Sequence, residues 1–148
     1  MEIKKTYKSF RYESDVCLKS GRRGTVCSPG KPDLEVSSPP EFKGEAGLWT
    51  PEEMFVASVN ACTFMTFIAY ARHKGLDVVS YESDGEGVLE HSDGKFRFTE
   101  ISLRPHVRVK SASDEERARE IMQDAQANCF VANSLSFPVK VSPRFSVT

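Results

Sequence analysis

The segment TPEEMFVASVNACTFMTFIAYARHKG, residues 50–75, constrains this chain more than any other stretch. Thr50 suits a helix cap, Pro51 the first helical position, and Glu53, three residues after the cap, completes a capping box. Gly75, preceded by Arg72, His73 and Lys74, supplies the stop signal. Between these ends, Phe55 to Ala71 carries no charge. The helix is apolar on nearly every side, which predicts that other elements cover it. Ser58, Asn60, Thr63 and Thr66 interrupt the run, which falls slightly short of the roughly 20 apolar residues of a spanning helix. It therefore reads as a core helix, and no membrane association is expected. Cys62 stands at its centre.

With 148 residues, the chain is expected to form one domain over 1–148: N-terminal strands and a loop in 1–49, the central helix in 50–75, and strands, a second helix and a final strand in 76–148. IKKTYKSFRYES (3–14), GTVCSP (24–29) and LEVSS (34–38) read as strands separated by Gly/Pro/Lys clusters. SPPEFKGEAGLW reads as a loop. DVVSYESDGEGVLEHS (77–92) and KFRFTEISLRPHVRVKS (95–111) form two long strands joined at Asp93-Gly94, a hairpin signal. SASDEERAREIMQDAQANC predicts a second helix, with Ser113 as cap and Glu116 as its box partner. Its apolar face runs through Ala118, Ile121, Met122 and Ala125 to Cys129. VANSLS adds a short helical turn, and FPVKVSPRFSV reads as the last strand. This order predicts an α+β fold with antiparallel strands backing two core helices.

A net charge of -1 gives no electrostatic reason to bind nucleic acid or an anionic membrane. MEIKKTYKSF lacks the apolar run of a signal peptide, so a cytoplasmic location is expected. In that reducing compartment Cys17, Cys27, Cys62 and Cys129 are each inert, metal-bound or catalytic. There is no Cys-x-x-Cys, and His73, His91 and His106 stand apart, so no metal site is expected. Two helices on one sheet can bring Cys62 and Cys129 together although 67 residues (129 − 62) separate them. Simple packing accounts for this pair equally well, and for Cys17 and Cys27 it is the better account. A reactive cysteine must be a thiolate, and burial opposes ionisation unless a cation offsets it. The candidates are Arg22 and Arg23 in SGRRGTV, whose side chains point to opposite faces if the chain is extended. A buried arginine needs a carboxylate, and Glu52, unlike Glu53, has no local partner. Glu52 and Cys62 are ten residues apart (62 − 52), about 15 Å along a helix. An arginine paired with Glu52 would have difficulty reaching Cys62 of its own chain. Two antiparallel copies of the helix would remove the difficulty, so a two-fold homodimer is expected.

With these residues identified, the sequence resembles the OsmC/Ohr family of osmotically inducible proteins and organic hydroperoxide reductases. GRRGTV resembles the family's Gly-Arg-x-Gly-x-Val turn, which selects Arg22. PPEFKGEAGLWTPEEMFVASVNAC resembles its Gly-rich loop, Pro-Glu helix start and Ala-Cys, which selects Glu52 and Cys62. NCFVANSL resembles the region of the second cysteine, Cys129. The resemblance implies an intertwined α+β homodimer with active sites at the subunit interface. It also implies a peroxidase without metal or other cofactor, in which Cys62 attacks an organic hydroperoxide, Cys129 closes a Cys62–Cys129 disulfide, and Arg22 and Glu52 support the thiolate. An external dithiol, a dihydrolipoyl group among family members, would reopen the disulfide. Phe55, Val59, Phe64 and Met65 are the expected walls of an apolar substrate pocket. Asn60, Thr63, Phe130 and Ala132 depart from the residues usual beside the two cysteines and mark a divergent OsmC-like branch. Two other readings stay open: a non-enzymatic dimeric binder of a small ligand, and a redox switch.

Overall fold

The structure is a computed structural model and describes residues 8–148. Its backbone divides into two compact units, one ending at Glu52 and one running from Glu53 to Thr148.

The first unit is a three-stranded antiparallel sheet of β1 (Asp15–Ser20), β2 (Arg23–Cys27) and β3 (Leu34–Ser37), in that order. Of the strand expected over 3–14, residues 3–7 lie outside the described residues and 8–14 form no strand; pairing begins at Asp15. The register aligns Val16 with Val26 and Leu34, and Leu18 with Gly24 and Val36. Because side chains alternate along a strand, Val16, Leu18, Val26, Leu34 and Val36 share one face. Cys17, Lys19, Thr25, Cys27 and Glu35 occupy the other. The apolar face stays open at β1, where Val16 is 69% and Leu18 80% exposed. After β3 the chain makes a 3-10 turn at Pro40–Phe42 and returns to bridge Trp49 with Val36.

The second unit is built on β5 (Lys95–Val109). Ile101, Leu103, Pro105, Val107 and Val109 are all buried and the residues between them are not. That period of two commits one face of the strand to the core. β4 (Ser80–Ser92) pairs with it antiparallel, joined at Asp93 and Gly94 with φ of 53° and 78°, the left-handed pair that a two-residue hairpin needs. On its other edge β5 carries two short parallel strands: β6 (Val139–Val141) along Ile101–Leu103 and β7 (Arg144–Val147) along His106–Val109. The single last strand and wholly antiparallel sheets expected from sequence are corrected here. The cause is proline. Leu103 turns its carbonyl to this edge, accepting from the Ser142 N–H at 2.9 Å, and residue 105, two further on, would turn its N–H the same way. Pro105 has no N–H, and Pro143 in the opposing chain has none either, so the edge is split between them.

Among the described residues, two long helices and the short helical turn expected after them accompany this sheet. α1 (Pro51–His73) ends in a Schellman motif: Gly75 at φ 68° lets its N–H reach the Arg72 carbonyl (3.2 Å) and the Leu76 N–H reach the Ala71 carbonyl (2.8 Å). Leu76 and Ala71 are both buried and close the hydrophobic contact of that motif. α2 (Ala112–Ala127) is capped by Ser111, whose hydroxyl accepts from the Asp114 N–H at 3.2 Å. The cap expected at Ser113 is therefore two residues late. α3 (Phe130–Asn133) is the short turn expected in VANSLS.

The main core joins Phe67, Ala71 and Leu76 to Val107, Val109, Ala118, Ile121, Met122 and Ala125. A second cluster sets Val59 against Ile101 and Leu103, with Phe55, Val131, Ala132 and Leu135 packed around it. Within the single chain α1 buries the stripe Val59, Thr63, Phe67 and Ala71, and Met65 is 58% exposed. By length and composition α1 could also cross a membrane; within this fold its buried stripe packs on the sheet and α2. The approach of α1 to β4 is close because β4 carries glycine. A Cβ on Gly87 would lie 2.6 Å from a Val56 methyl and 2.9 Å from the Phe98 ring. Across the same contact the Ser83 hydroxyl donates to the Asn60 side-chain oxygen (2.7 Å) and the Asn60 amide donates to the Ser83 carbonyl (3.1 Å).

Two stability outcomes are expected. Gly87→Ala should lower unfolding free energy by about 1–3 kcal/mol through overpacking, read from urea midpoints. Ser111→Ala should cost about 1 kcal/mol through the lost cap, whereas Ser113→Ala should cost much less.

Candidate active site

Cys62 lies midway along α1, one residue off the buried stripe, and is half-buried. Cys129 is fully buried. It is not the last residue of the α2 stripe, as the helical periodicity suggests, but stands between two helices. α2 stops at Asn128, whose N–H and side-chain amide both donate to the Asp124 carbonyl (3.1 and 2.8 Å). Cys129 is extended (φ -72°, ψ 111°) and opens α3, its carbonyl accepting from the Asn133 N–H at 2.9 Å. This break turns the first amides of α3 toward α1.

The result is a set of donors converging on one sulfur. Burial raises the Cys62 thiol, but the Val131 N–H, the Cys129 thiol, the Thr66 hydroxyl and the Phe130 N–H all donate to it, and together they bring it below the ordinary thiol range. Thr66 stands four residues along the helix, and its single hydroxyl hydrogen serves either the Cys62 carbonyl, at 2.8 Å, or, after rotation, the Cys62 sulfur. Cys129 shifts the other way. Burial raises it, and its contact with Cys62 raises it further, against the lowering contributions of the Ala132 N–H and the Thr63 hydroxyl, which lies 3.7 Å from the Cys129 sulfur. Cys62 is therefore the more readily ionised of the two, with the Cys129 thiol donating to it. Both cysteines are free thiols.

The other expected site residues, Arg22 and Glu52, belong to the N-terminal unit. Arg22 is exposed in the β1–β2 turn, and its Nη1 donates to the Phe42 carbonyl at 3.2 Å. The buried Ser37 hydroxyl fixes that turn by donating to the Arg22 carbonyl (2.8 Å) while accepting from the Glu45 N–H (2.9 Å). Arg23, the more buried of the two arginines, grips Glu45 with both Nε (3.1 Å) and Nη2, and stands 3.6 Å from Glu35. The opposite-face reading of the two arginines thus gives way to a turn arginine and a strand arginine. Glu52, in the first turn of α1, keeps one carboxylate oxygen buried with no hydrogen-bond partner.

Of the four expected pocket walls, Phe55 and Val59 share one hydrophobic cluster. Val59 is core, Phe55 packs on Phe98 (centroids 4.7 Å apart), Phe64 packs on Tyr81 (4.9 Å), and Met65 is exposed. A cavity of about 150 Å³ lies instead behind Cys129, walled by Thr63, Gln126, Ala132, Asn133, Pro138, Val139 and Val141. Sequence reasoning passed over Thr66, the α3 amides and this cavity. Only Thr66 carried a readable signal, four residues from Cys62 on the same helical face.

The expected outcome for the pair is distinct titration. Iodoacetamide should alkylate Cys62 with a pH midpoint below that of an ordinary thiol, and Cys129 in Cys62→Ser with a higher one. Thr66→Val should move the Cys62 midpoint upward, because a donor to the thiolate is gone.

Comparison with known proteins gives a consistent pattern. The family described as OsmC-like protein matches residues 44–144. The uncharacterized protein YmaD of Bacillus subtilis is 26% identical over 127 residues, 84% of each chain. A structure of an OsmC-like protein of unknown function from Vibrio cholerae superposes with a TM-score of 0.82 at 25% identity, over 91% of this chain and 99% of that one. An organic hydroperoxide resistance protein OsmC from Legionella pneumophila superposes at 0.70 with 23% identity, over 94% and 100%.

Proposed function

The chain belongs to the family of OsmC-like proteins, and from that premise we propose that it is a cysteine-dependent peroxidase that reduces organic hydroperoxides through a Cys62–Cys129 disulfide. The observation that carries the reading is the hydrogen bond between the two thiols, in which the more accessible Cys62 ionises more readily than the buried Cys129. A nucleophile beside a resolving thiol, one ionised and the other protonated, is what peroxide reduction through a disulfide requires. The fold is also that of the Legionella pneumophila organic hydroperoxide resistance protein.

The Cys62 thiolate attacks the terminal peroxide oxygen, breaking the O–O bond and releasing the alcohol once its alkoxide takes a proton. Cys62 is left as sulfenic acid. Cys129 then attacks that sulfur, its proton leaving with the hydroxide as water, and the S–S bond forms. One hydroperoxide is reduced to alcohol and water, and two thiols are oxidised. Arg22, brought to the thiolate, would stabilise the leaving alkoxide, and Glu52, whose buried oxygen lacks a donor, would take the guanidinium fork. The reaction needs no metal or other cofactor, only an external dithiol that reopens the disulfide, a dihydrolipoyl group being the candidate.

This reading includes a homodimer. Its support is apolar surface: the open Val16–Leu18 face of the N-terminal sheet and the exposed Met65 side of α1. Surface of this kind marks a place of association. The reliance on reduced thiols favours a cytoplasmic setting.

The test is consumption of cumene hydroperoxide with dihydrolipoamide as reductant. Wild type should turn over, and Cys62→Ser should fall to background. Cys129→Ser should stop after one equivalent with Cys62 trapped as sulfenic acid, and Arg22→Met should lose about 10²-fold in rate. Turnover that persists in Cys62→Ser would remove the proposed nucleophile.

A further inference from the structure

Peroxide enters the proposed reaction at Cys62, but the disulfide must be reopened at one of two sulfurs, and the molecule treats them differently. The cavity behind Cys129 includes that residue in its wall and leaves Cys62 out. Thr63 and Cys129 are buried, whereas Asn133 and Pro138 are exposed, so the cavity opens beside Asn133 and Pro138 and ends at the Cys129 side chain. Gln126 and Asn133 join Ala132, Pro138, Val139 and Val141 in the wall, the Asn133 side-chain amide donating to the Ala127 carbonyl at 3.2 Å.

Resting on the peroxidase reading above, we propose that this cavity is the reductant port: a small thiol on a slim, flexible arm enters between Asn133 and Pro138 and attacks the Cys129 sulfur of the disulfide. Displacement at sulfur is collinear, so the attacking thiolate must approach Cys129 from the side opposite Cys62. The cavity lies beside Cys129 without reaching Cys62. The leaving group agrees with this direction. Attack on Cys129 expels the Cys62 thiolate, whose charge the Val131 and Phe130 amides and the Thr66 hydroxyl receive. Attack on Cys62 would expel the Cys129 thiolate, which is buried and the less stable of the two. The better-stabilised thiolate leaves faster.

The atoms balance in two steps. A reductant thiolate forms a mixed disulfide with Cys129 as the Cys62–Cys129 bond breaks and Cys62 departs as thiolate. The second thiol of the same reductant then attacks its own sulfur in the mixed disulfide, closing an oxidised cyclic disulfide and returning Cys129. The reductant loses two electrons and two protons, and the protein gains them. A volume of about 150 Å³ admits a thiol with a few methylenes. A thiol fixed on a folded protein surface would not fit, so the class assigned is an unbranched aliphatic dithiol.

The experiment starts from protein oxidised with diamide, so it does not depend on peroxidase activity. Oxidised wild type is quenched with 2-mercaptoethanol and iodoacetamide, and peptide mass mapping locates the adduct. The expected product carries mercaptoethanol on Cys129 and carbamidomethyl on Cys62; the reverse pattern overturns the proposal. In stopped flow, Pro138→Trp, which obstructs the mouth, should slow reduction of the disulfide by dihydrolipoamide about tenfold and leave disulfide formation with cumene hydroperoxide unchanged. Gln126→Trp is the second obstructing variant. Unchanged reduction in both folded variants rejects the port. A disulfide that forms with diamide and never with peroxide defeats the peroxidase reading alone, and one that forms with neither defeats both.

Discussion

Everything chemical about this fold depends on hydrogen bonds from the first turn of α3 to the sulfur of Cys62. A half-buried thiol would ordinarily resist ionisation. Here two backbone amides, a threonine hydroxyl and the neighbouring thiol approach the same atom and reverse the balance. The donors come from an element only four residues long, so their aim must be enforced from outside it. Asn128 supplies part of the enforcement by ending α2 one residue before Cys129. The rest comes from packing, since Val131, Ala132 and Leu135 lie against the cluster of Val59, Ile101 and Leu103. The hydrophobic core therefore acts on the thiolate through the amides it orients.

β5 organises that core. Its alternation of buried and open residues places Ile101 and Leu103 under the site and Val107 and Val109 under α2. α1 approaches closely enough because β4 offers glycine at 85 and 87, and the reciprocal Asn60–Ser83 pair sets where the helix sits along the strand. Asn60, one of the departures from the family pattern, has by this contact a structural task two residues from the reactive sulfur.

Strong local signals were legible in the sequence. Pro51 and Gly75 bound α1, Asp93-Gly94 makes the hairpin, and the Arg22, Glu52, Cys62 and Cys129 motifs led to the family. Signals that depend on a competing neighbour were not. Ser111 and Ser113 are both competent caps, and the tertiary position of the helix start decides for Ser111. FPVKVSPRFSV looks like one strand until Pro105 and Pro143 are seen to face the same edge. Cys129 fits the helical stripe of Ala118, Ile121 and Ala125 by spacing, yet it lies beyond the helix end. The apolar content of α1 reports how much surface can be covered and not which side one chain covers. Of the expected pocket walls, Phe55 and Phe64 have aromatic partners on the sheet, and the cavity beside Cys129 carried no sequence signal because its lining comes from separate segments.

The proline-divided border of the larger sheet has a further consequence. A long uninterrupted border strand exposes a row of unpaired amides and carbonyls on which foreign chains can template. Here that border consists of one piece of three residues and one of four. Lys140 stands in the middle of the first and is tied to Glu100 at 3.1 Å, and Arg144 begins the second. Brevity and charge together make this border a poor template for growth into fibrils.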